Sequence, residues 1–368
     1  MKKKQIFSLV VVAGILGALV YFQFRSWRTF DWAKFRHYTG GVSLWHIGAG
    51  VGLIYLAYVM RAIRWAIFLK PTAPTSVRRL IAPQIIGFAA LGLFGRAGEF
   101  ARPYLIARKE KLTFTSQLAV WTVERFFDLG SVVVLMGTFL ALNGGELARD
   151  VLQAVHGGVH SAMLKAGHKL PLVLAGLAAL AVLAFLLKRA SGKSAGHLRA
   201  RLVSFKQGFN TIHDTKSFVQ LVLVSLCMWL MIAGAYVEVL HAYPQIPVLI
   251  SGDTSGLQRL ALINTINLAH VLVIMGCSMF GSVLQLPGGV GGSQLAVIGI
   301  LQTSWFAAYN ITPELAVSCG IMLWLVTFMS VIPAGVLLAR YEKISFARLS
   351  EESTQEEEEV EAEEARTH

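Results

Sequence analysis

The feature that most limits what this chain can fold into is an apolar run of about 20 residues that recurs along it, separated by short polar stretches. As a helix rising 1.5 Å per residue, such a run covers a hydrocarbon core of roughly 30 Å. Helix also satisfies every backbone N–H and C=O within the segment, which lipid cannot do. Composition agrees: 55% of the 368 residues are hydrophobic, 15% are charged and the mean hydropathy is +0.59. Ordinary soluble domains fall well below that apolar content. The expected fold is all-α, a polytopic integral membrane helix bundle of about seven full spans plus two short or re-entrant helical segments.

The full spans are expected at Gln5–Phe24, Ser43–Leu69, Ser116–Leu142, Leu170–Leu187, Phe218–Leu240, Leu260–Leu284 and Leu315–Leu338. Two apolar segments, Leu80–Phe94 and Leu295–Ala308, are short for an untilted crossing; each fits a tilted span, a re-entrant helix or a buried half-helix. Residues 1–342 read as one membrane domain and 343–368 as a disordered acidic cytoplasmic tail, Glu-rich from Ser350 onward with little to bury.

A net charge of +12 raises the question of nucleic acid, but the basic residues flank apolar runs instead of forming a soluble face. The excess of Lys and Arg in cytoplasmic loops accounts for them. Lys2–Lys4, Lys70, Arg78, Arg79, Arg108, Lys109, Lys111, Lys188–Lys206, Arg340 and Lys343 are then cytoplasmic, as are both termini. Arg25, Arg28, Lys34 and Arg36 run against this, and Trp27, Trp32 and Trp45 suggest that their segment lies at the interface. No Ala-x-Ala-like site follows the first apolar run, so it is read as a retained span.

Cys227, Cys277 and Cys319 all fall in apolar spans, which argues for packing and against disulfides or thiolate metal sites. His156 and His160 have an i, i+4 spacing beside Gly157 and Gly158, and read as interfacial histidines. No cofactor or metal is expected.

Chemistry is sought where ionisable residues interrupt apolar sequence, because each is costly at membrane depth unless paired or hydrated. Gly95-Arg96-Ala97-Gly98-Glu99-Phe100-Ala101-Arg102-Pro103 follows one short segment. Spacings of three place Arg96, Glu99 and Arg102 on one helical face, Glu99 pairing with either arginine. Pro103 disfavours helix at Arg102 and points to a broken helix end, while arginine's planar fork suits phosphate or carboxylate. In a second cluster Glu124 and Asp128 share a face with Arg125 about 100° away. These carboxylates need cations, available from Arg96, Arg102, or Arg61 and Arg64; helix packing and substrate binding explain the cluster equally well. The third feature is Leu286-Pro287-Gly288-Gly289-Val290-Gly291-Gly292-Ser293-Gln294. This helix-breaking loop, with Ser293 as N-cap of the next helix, would offer free N–H groups to an anion. Asn264, Asn267 and His270 form a weaker polar face suited to interhelical hydrogen bonds.

Taken in order, Gly95-Arg96-Ala97-Gly98-Glu99 with Arg102, Glu124-Arg125 with Asp128, and Leu286-Pro287-Gly288-Gly289-Val290-Gly291 resemble the lysylphosphatidylglycerol synthase transmembrane family, also called the flippase-like membrane domain family. The resemblance runs from about 45 to 340. It implies a bacterial or archaeal inner-membrane protein that moves a lipid between leaflets, without the soluble domain that synthesises the lipid. The family often carries Glu one turn into the helix after the glycine loop, where this sequence has Gln294.

The leading expectation is therefore a lipid flippase or lipid transporter, not an enzyme, acting on a phospholipid, aminoacyl-lipid or glycolipid. Its substrate-binding residues would be Arg96, Glu99, Arg102, Glu124, Arg125, Asp128, Pro287, Gly288, Gly289, Gly291 and Ser293. Discontinuous helices aimed at a midplane site recur in transporters. Expected partners are a membrane lipid with an anionic or zwitterionic headgroup, the bilayer, and a second copy or a lipid-synthesis enzyme; nucleic acid is not among them. Alternatives are a glycosyl or phosphoryl transferase using Glu99 or Asp128 as base, or a scaffold acting through the acidic tail. Against the transferase, no carboxylate cluster has the spacing of a Mg²⁺ site. No ring of pore-lining charge suggests a channel.

Overall fold

The computed structural model describes residues 30–142, 215–244, 268–282, 291–303, 306, 309–346, 349, 352 and 355, with the side chains of 96, 97, 139–142, 269 and 280 outside that description. Among the described residues the fold is all-helical: α1 (Trp32–Gly40), α2 (Leu44–Leu69), α3 (Val77–Phe94), α4 (Ala101–Glu110), α5 (Phe114–Leu142), α6 (Thr215–His241), α7 (Leu268–Gly281), α8 (Gly292–Leu301), α9 (Pro313–Trp324) and α10 (Val331–Tyr341).

Four helical runs have the length and apolar content to cross a membrane: Leu44–Leu69, Val77–Phe94, Thr215–His241 and Pro313–Tyr341. The last joins α9 and α10 through a π turn at Leu325–Met329, where the Ser330 N–H bonds the Leu325 carbonyl at 2.9 Å. Pro333 lies just beyond and has no N–H to give the i−4 carbonyl, so the widened turn falls where the regular ladder is already broken. α5 is 29 residues long but carries Glu124, Arg125 and Asp128 within its apolar sequence.

Both short segments take definite form. The one expected at Leu80–Phe94 begins at Val77, and its 18 residues span about 27 Å. That is crossing length. The other is the 10-residue α8, about 15 Å long, which packs against α7 with Gly281 meeting the backbone of Gly292 too closely for any side chain. The expected spans Gln5–Phe24 and Leu170–Leu187 lie outside the described residues, as do parts of Leu260–Leu284 and the pair His156 and His160.

Small residues set which helices touch. α2 and α6 form the most extensive contact, with Gly50 against the Ala235 carbonyl and Val239, and Ala57, Ala62, Ala233 and Ala235 all buried. α3 and α10 approach through Gly335 on Ala89 and Gly92 on Ile332. Lipid offers no hydrophobic drive for helix association, so close backbone approach and dispersion contacts carry it. Cys319 is buried in this core, Cys277 is half-buried and Cys227 is exposed, each a free thiol.

At one end α1 lies as a short helix with no buried residue and an exposed Trp32. Asp31 caps it, accepting from the N–H groups of Lys34 (3.1 Å) and Ala33 (3.0 Å). The Lys34 N–H foremost holds its carboxyl below the ordinary aspartate value.

The opposite end is basic. Arg79 meets Glu110 at 3.0 Å and Lys109 meets Glu342 at 2.5 Å, which ties the start of α3 and the segment after α10 to the end of α4. The stretch read as a tail starts here as docked chain. Leu349 is buried among Ile86, Ala90, Ala101 and Leu105, Phe346 packs on Phe94, and Tyr104 donates to Glu352 at 2.8 Å. Burial, followed by the Glu352 carboxylate, raises the Tyr104 phenol. Residues 356–368 lie outside the described residues.

Candidate functional site

The site is built where α2, α3, α4, α5 and α6 meet. Arg61 and Arg64 are three apart on α2, and Glu124 and Asp128 four apart on α5, so each pair projects from one face. The faces oppose. Arg64 donates from Nη1 to Asp128 Oδ1 (2.7 Å) and Ser225 Oγ (3.1 Å), and from Nη2 to Glu124 Oε1. Arg102, from α4, takes the rest of Glu124: Nη1 to Oε1 at 3.0 Å and Nη2 to Oε2, with a further 3.3 Å bond to Gln84 Oε1. Trp229 Nε1 donates to Asp128 Oδ1 at 3.2 Å. Arg64, Gln84 and Glu124 are fully buried, and Arg102 and Asp128 nearly so.

Aromatic faces supply the remaining surroundings of the cations. The Arg102 guanidinium lies 4.8 Å from the Trp65 ring and 5.0 Å from Phe88, and Arg61 sits 4.7 Å from Phe88. Trp65 is itself fixed by Nε1 donating to Gln117 at 2.9 Å.

The cluster carries a surplus of positive charge. Four guanidinium groups, Arg61, Arg64, Arg102 and Arg125, face two carboxylates, Glu124 and Asp128, a formal excess of two among the described residues. Arg125 is 3.3 Å from both carboxylates but nearly half exposed. Arg61 stands only at 3.9 and 4.0 Å from them, and its buried Nη1 donates no hydrogen bond. Gln84 Nε2 and Arg64 Nε are likewise buried donors without an acceptor. Such donors are costly in an apolar interior, so the arrangement suits an anionic oxygen arriving at Arg61 and Arg125.

The glycine-arginine motif is a turn, not a helical face. α3 ends at Phe94 because Gly95 adopts φ 62°, a 3-10 turn follows over Gly95–Gly98, and α4 starts at Ala101. Gly98 passes so close to the Ala90 carbonyl that a Cβ there would overlap it. Gly87 has the same role across the gap: a Cβ would stand 2.5 Å from Arg102 Cβ and 2.8 Å from its Cα. These glycines let α4 fold back onto α3 and seat Arg102 on Glu124.

Three expectations are corrected here. Arg96, Glu99 and Arg102 do not share a helical face, and Arg102 pairs with Glu124 instead of the half-buried Glu99; the side chain of Arg96 lies outside the description. Arg102 is helical despite preceding Pro103, because Pro103 falls in the first turn of α4, where its missing N–H costs nothing. Ser293 is not the N-cap of α8. Gly291 is, at φ 123°, while the Ser293 hydroxyl meets Ser278 Oγ at 2.6 Å, and Ser278 accepts from Tyr236 at 2.8 Å.

The described end of the glycine loop meets α7 and its own helix, with Gly281 against Gly292 and Ser293 on Ser278. Pro287, Gly288 and Gly289 lie outside the described residues, and the Gly291 N–H is taken by Gln294 Oε1 at 2.8 Å. Gln294 acts as an internal cap. His270 is buried on Phe306 and 3.3 Å from the Tyr309 hydroxyl, while Asn264 and Asn267 are outside the described residues. Gln84, Ser225 and Trp229 carry no separate signal along the chain, since single polar residues in spans acquire meaning only from what faces them.

A membrane helix bundle with a charged centre buried between its helices is the class that fold and site define. The family described as Lysylphosphatidylglycerol synthase TM region matches residues 5–252, and the chain belongs to it. The match takes in Arg61, Arg64, Arg102, Glu124 and Asp128, starts earlier than residue 45, and ends before the glycine loop. Comparison with curated proteins and with solved structures gives no match.

Proposed function

We propose that this chain moves a polar-headgroup lipid between the leaflets of the inner membrane, both termini facing the cytoplasm, and does so without chemistry on the lipid. The observation that carries the reading is the surplus of guanidinium groups at membrane depth, with Arg61 Nη1 and Gln84 Nε2 buried and unbonded. Arg61 and Arg64 lie about 8–12 Å from the end of α2 at Leu69, inside the half of the bundle whose rim is basic. A phosphate would be drawn first to that rim and then to Arg125 and Arg61. Glu124 and Asp128 hold Arg64 and Arg102 in place and offset part of their charge, so that a phosphate is not bound too tightly to leave.

A transferase using Asp128 as base gains no support, because Arg64 and Trp229 donate to that carboxylate and Arg125 faces it. The test is leaflet exchange of a fluorescent phosphatidylglycerol in proteoliposomes, read by dithionite quenching. Wild type should accelerate exchange over empty vesicles, and folded Arg61→Gln should lose at least about tenfold of that rate, one charge contact being worth about 1.5–3 kcal/mol. Equal rates in empty and wild-type vesicles, across anionic and zwitterionic lipids, would overturn the proposal.

A further inference from the structure

Away from the arginines, at the opposite ends of α2 and α6, His46, Glu238 and His241 bring one ligand atom each within 4.8 Å of one another. Glu238 and His241 are three apart and so share a face of α6, and His46 faces them from the first turn of α2. His46 Nδ1 and Glu238 Oε2 are 2.7 Å apart, and the two imidazole rings lie 5.6 Å apart at 52°. All three side chains are only partly buried, so an ion can reach them.

We propose that these residues bind a single divalent transition metal, Zn²⁺ by preference, that clasps α2 to α6. Two imidazoles and one carboxylate are a ligand set Zn²⁺ takes, with a fourth position left for water. Tetrahedral N and O ligands at about 2.0–2.1 Å stand about 3.4 Å from each other. The widest-set ligand atoms therefore close by up to about 1.4 Å, while His46 Nδ1 and Glu238 Oε2 open by about 0.7 Å, both within reach of side-chain rotation. The backbone needs no movement, because Ser43 N already bonds the Ala242 carbonyl at 2.9 Å and Ala242 N the Glu238 carbonyl at 3.0 Å. Metal binding displaces the hydrogen shared by His46 Nδ1 and Glu238, which leaves to solvent or moves to His46 Nε2 as the imidazole changes tautomer, and each of the two atoms forms a coordinate bond. α2 also carries Arg61 and Arg64, and α6 carries Ser225 and Trp229. The metal thus fixes the crossing of the two helices that build the charged centre. This inference stands whether or not the chain moves lipid.

The test is calorimetric titration of ZnSO₄ into the full chain in detergent, purified without a histidine tag, with thermal unfolding alongside. One Zn²⁺ per chain is expected, at micromolar affinity or tighter, with a raised unfolding midpoint. His46→Ala, Glu238→Gln and His241→Ala should each weaken binding at least about tenfold, the loss typical of a ligand or its partner, while His156→Ala should leave it unchanged. Absence of 1:1 binding, or affinity retained in His46→Ala, would overturn the proposal. Should His46→Ala fail to fold, Zn-edge X-ray absorption on wild type decides: two imidazoles and a carboxylate support the site, and a sulfur-containing or all-oxygen shell refutes it.

Discussion

Arg102 and Glu124 meet fork to fork across α4 and α5, with Nη1 on Oε1 at 3.0 Å and Nη2 on Oε2, both side chains almost wholly buried. A buried pair of this kind is costly to form and more costly to break on one side. Removing either partner leaves an uncompensated charge, and Arg102→Ala or Glu124→Gln should each destabilise the fold by about 3–5 kcal/mol. The double variant should lose clearly less than the sum. Thermal unfolding in detergent for all four forms measures that coupling.

Arg125 and Arg102 are expected to differ in kind. Arg125 is nearly half exposed and stacks loosely on Trp121 at 5.7 Å, so Arg125→Gln should change unfolding by under about 1 kcal/mol. Its effect should appear instead in leaflet exchange, and mostly for anionic lipid. A variant that unfolds as readily as Arg102→Ala would contradict this division.

Gly87 has no room for a side chain against Arg102. Gly87→Val should cost about 1–3 kcal/mol through overpacking, and more if the Arg102–Glu124 pair is forced apart. Combined with Arg102→Ala, the steric cost should persist, because alanine keeps the Cβ and Cα that Gly87 meets, and only the part owed to forcing the Arg102–Glu124 pair apart should disappear. Unfolding midpoints of the single and double variants check it.

Leu349 seals the cluster formed by Ile86, Ala90, Ala101 and Leu105 on the basic side of the bundle. Leu349→Ala should destabilise by about 2–5 kcal/mol, whereas deletion of 356–368 should leave both stability and lipid exchange as in the full chain. A scaffold acting through its acidic end would respond in the reverse way, losing a bound enzyme on deletion.

Parts of this arrangement are legible in the residues. The i, i+4 carboxylates on an otherwise apolar helix announce a need for cations, and Arg61 and Arg64 at spacing three are natural candidates on a neighbouring span. Arg96, Glu99 and Arg102 mislead for a physical reason: equal spacing implies a common face only while the helix continues. Gly95 at positive φ and the closeness of Gly98 to Ala90 end it first. Ser293 misleads in a similar way, since a serine near a helix start reads as a cap until Gly291 takes the position and Ser278 claims the hydroxyl.

By itself the sequence determined the class of this protein. Apolar runs of span length leave helix as the only self-sufficient backbone conformation in lipid, and charges inside those runs mark where the bundle must turn inward. Only the tertiary structure decided which charges meet. Arg102 reaches Glu124 because three glycines let α4 fold onto α3, and Arg61 is left with a free donor because Arg64 and Arg102 have already used Glu124. Pairing across helices depends on backbone separations of a few ångströms, and periodicity along one chain carries no record of those.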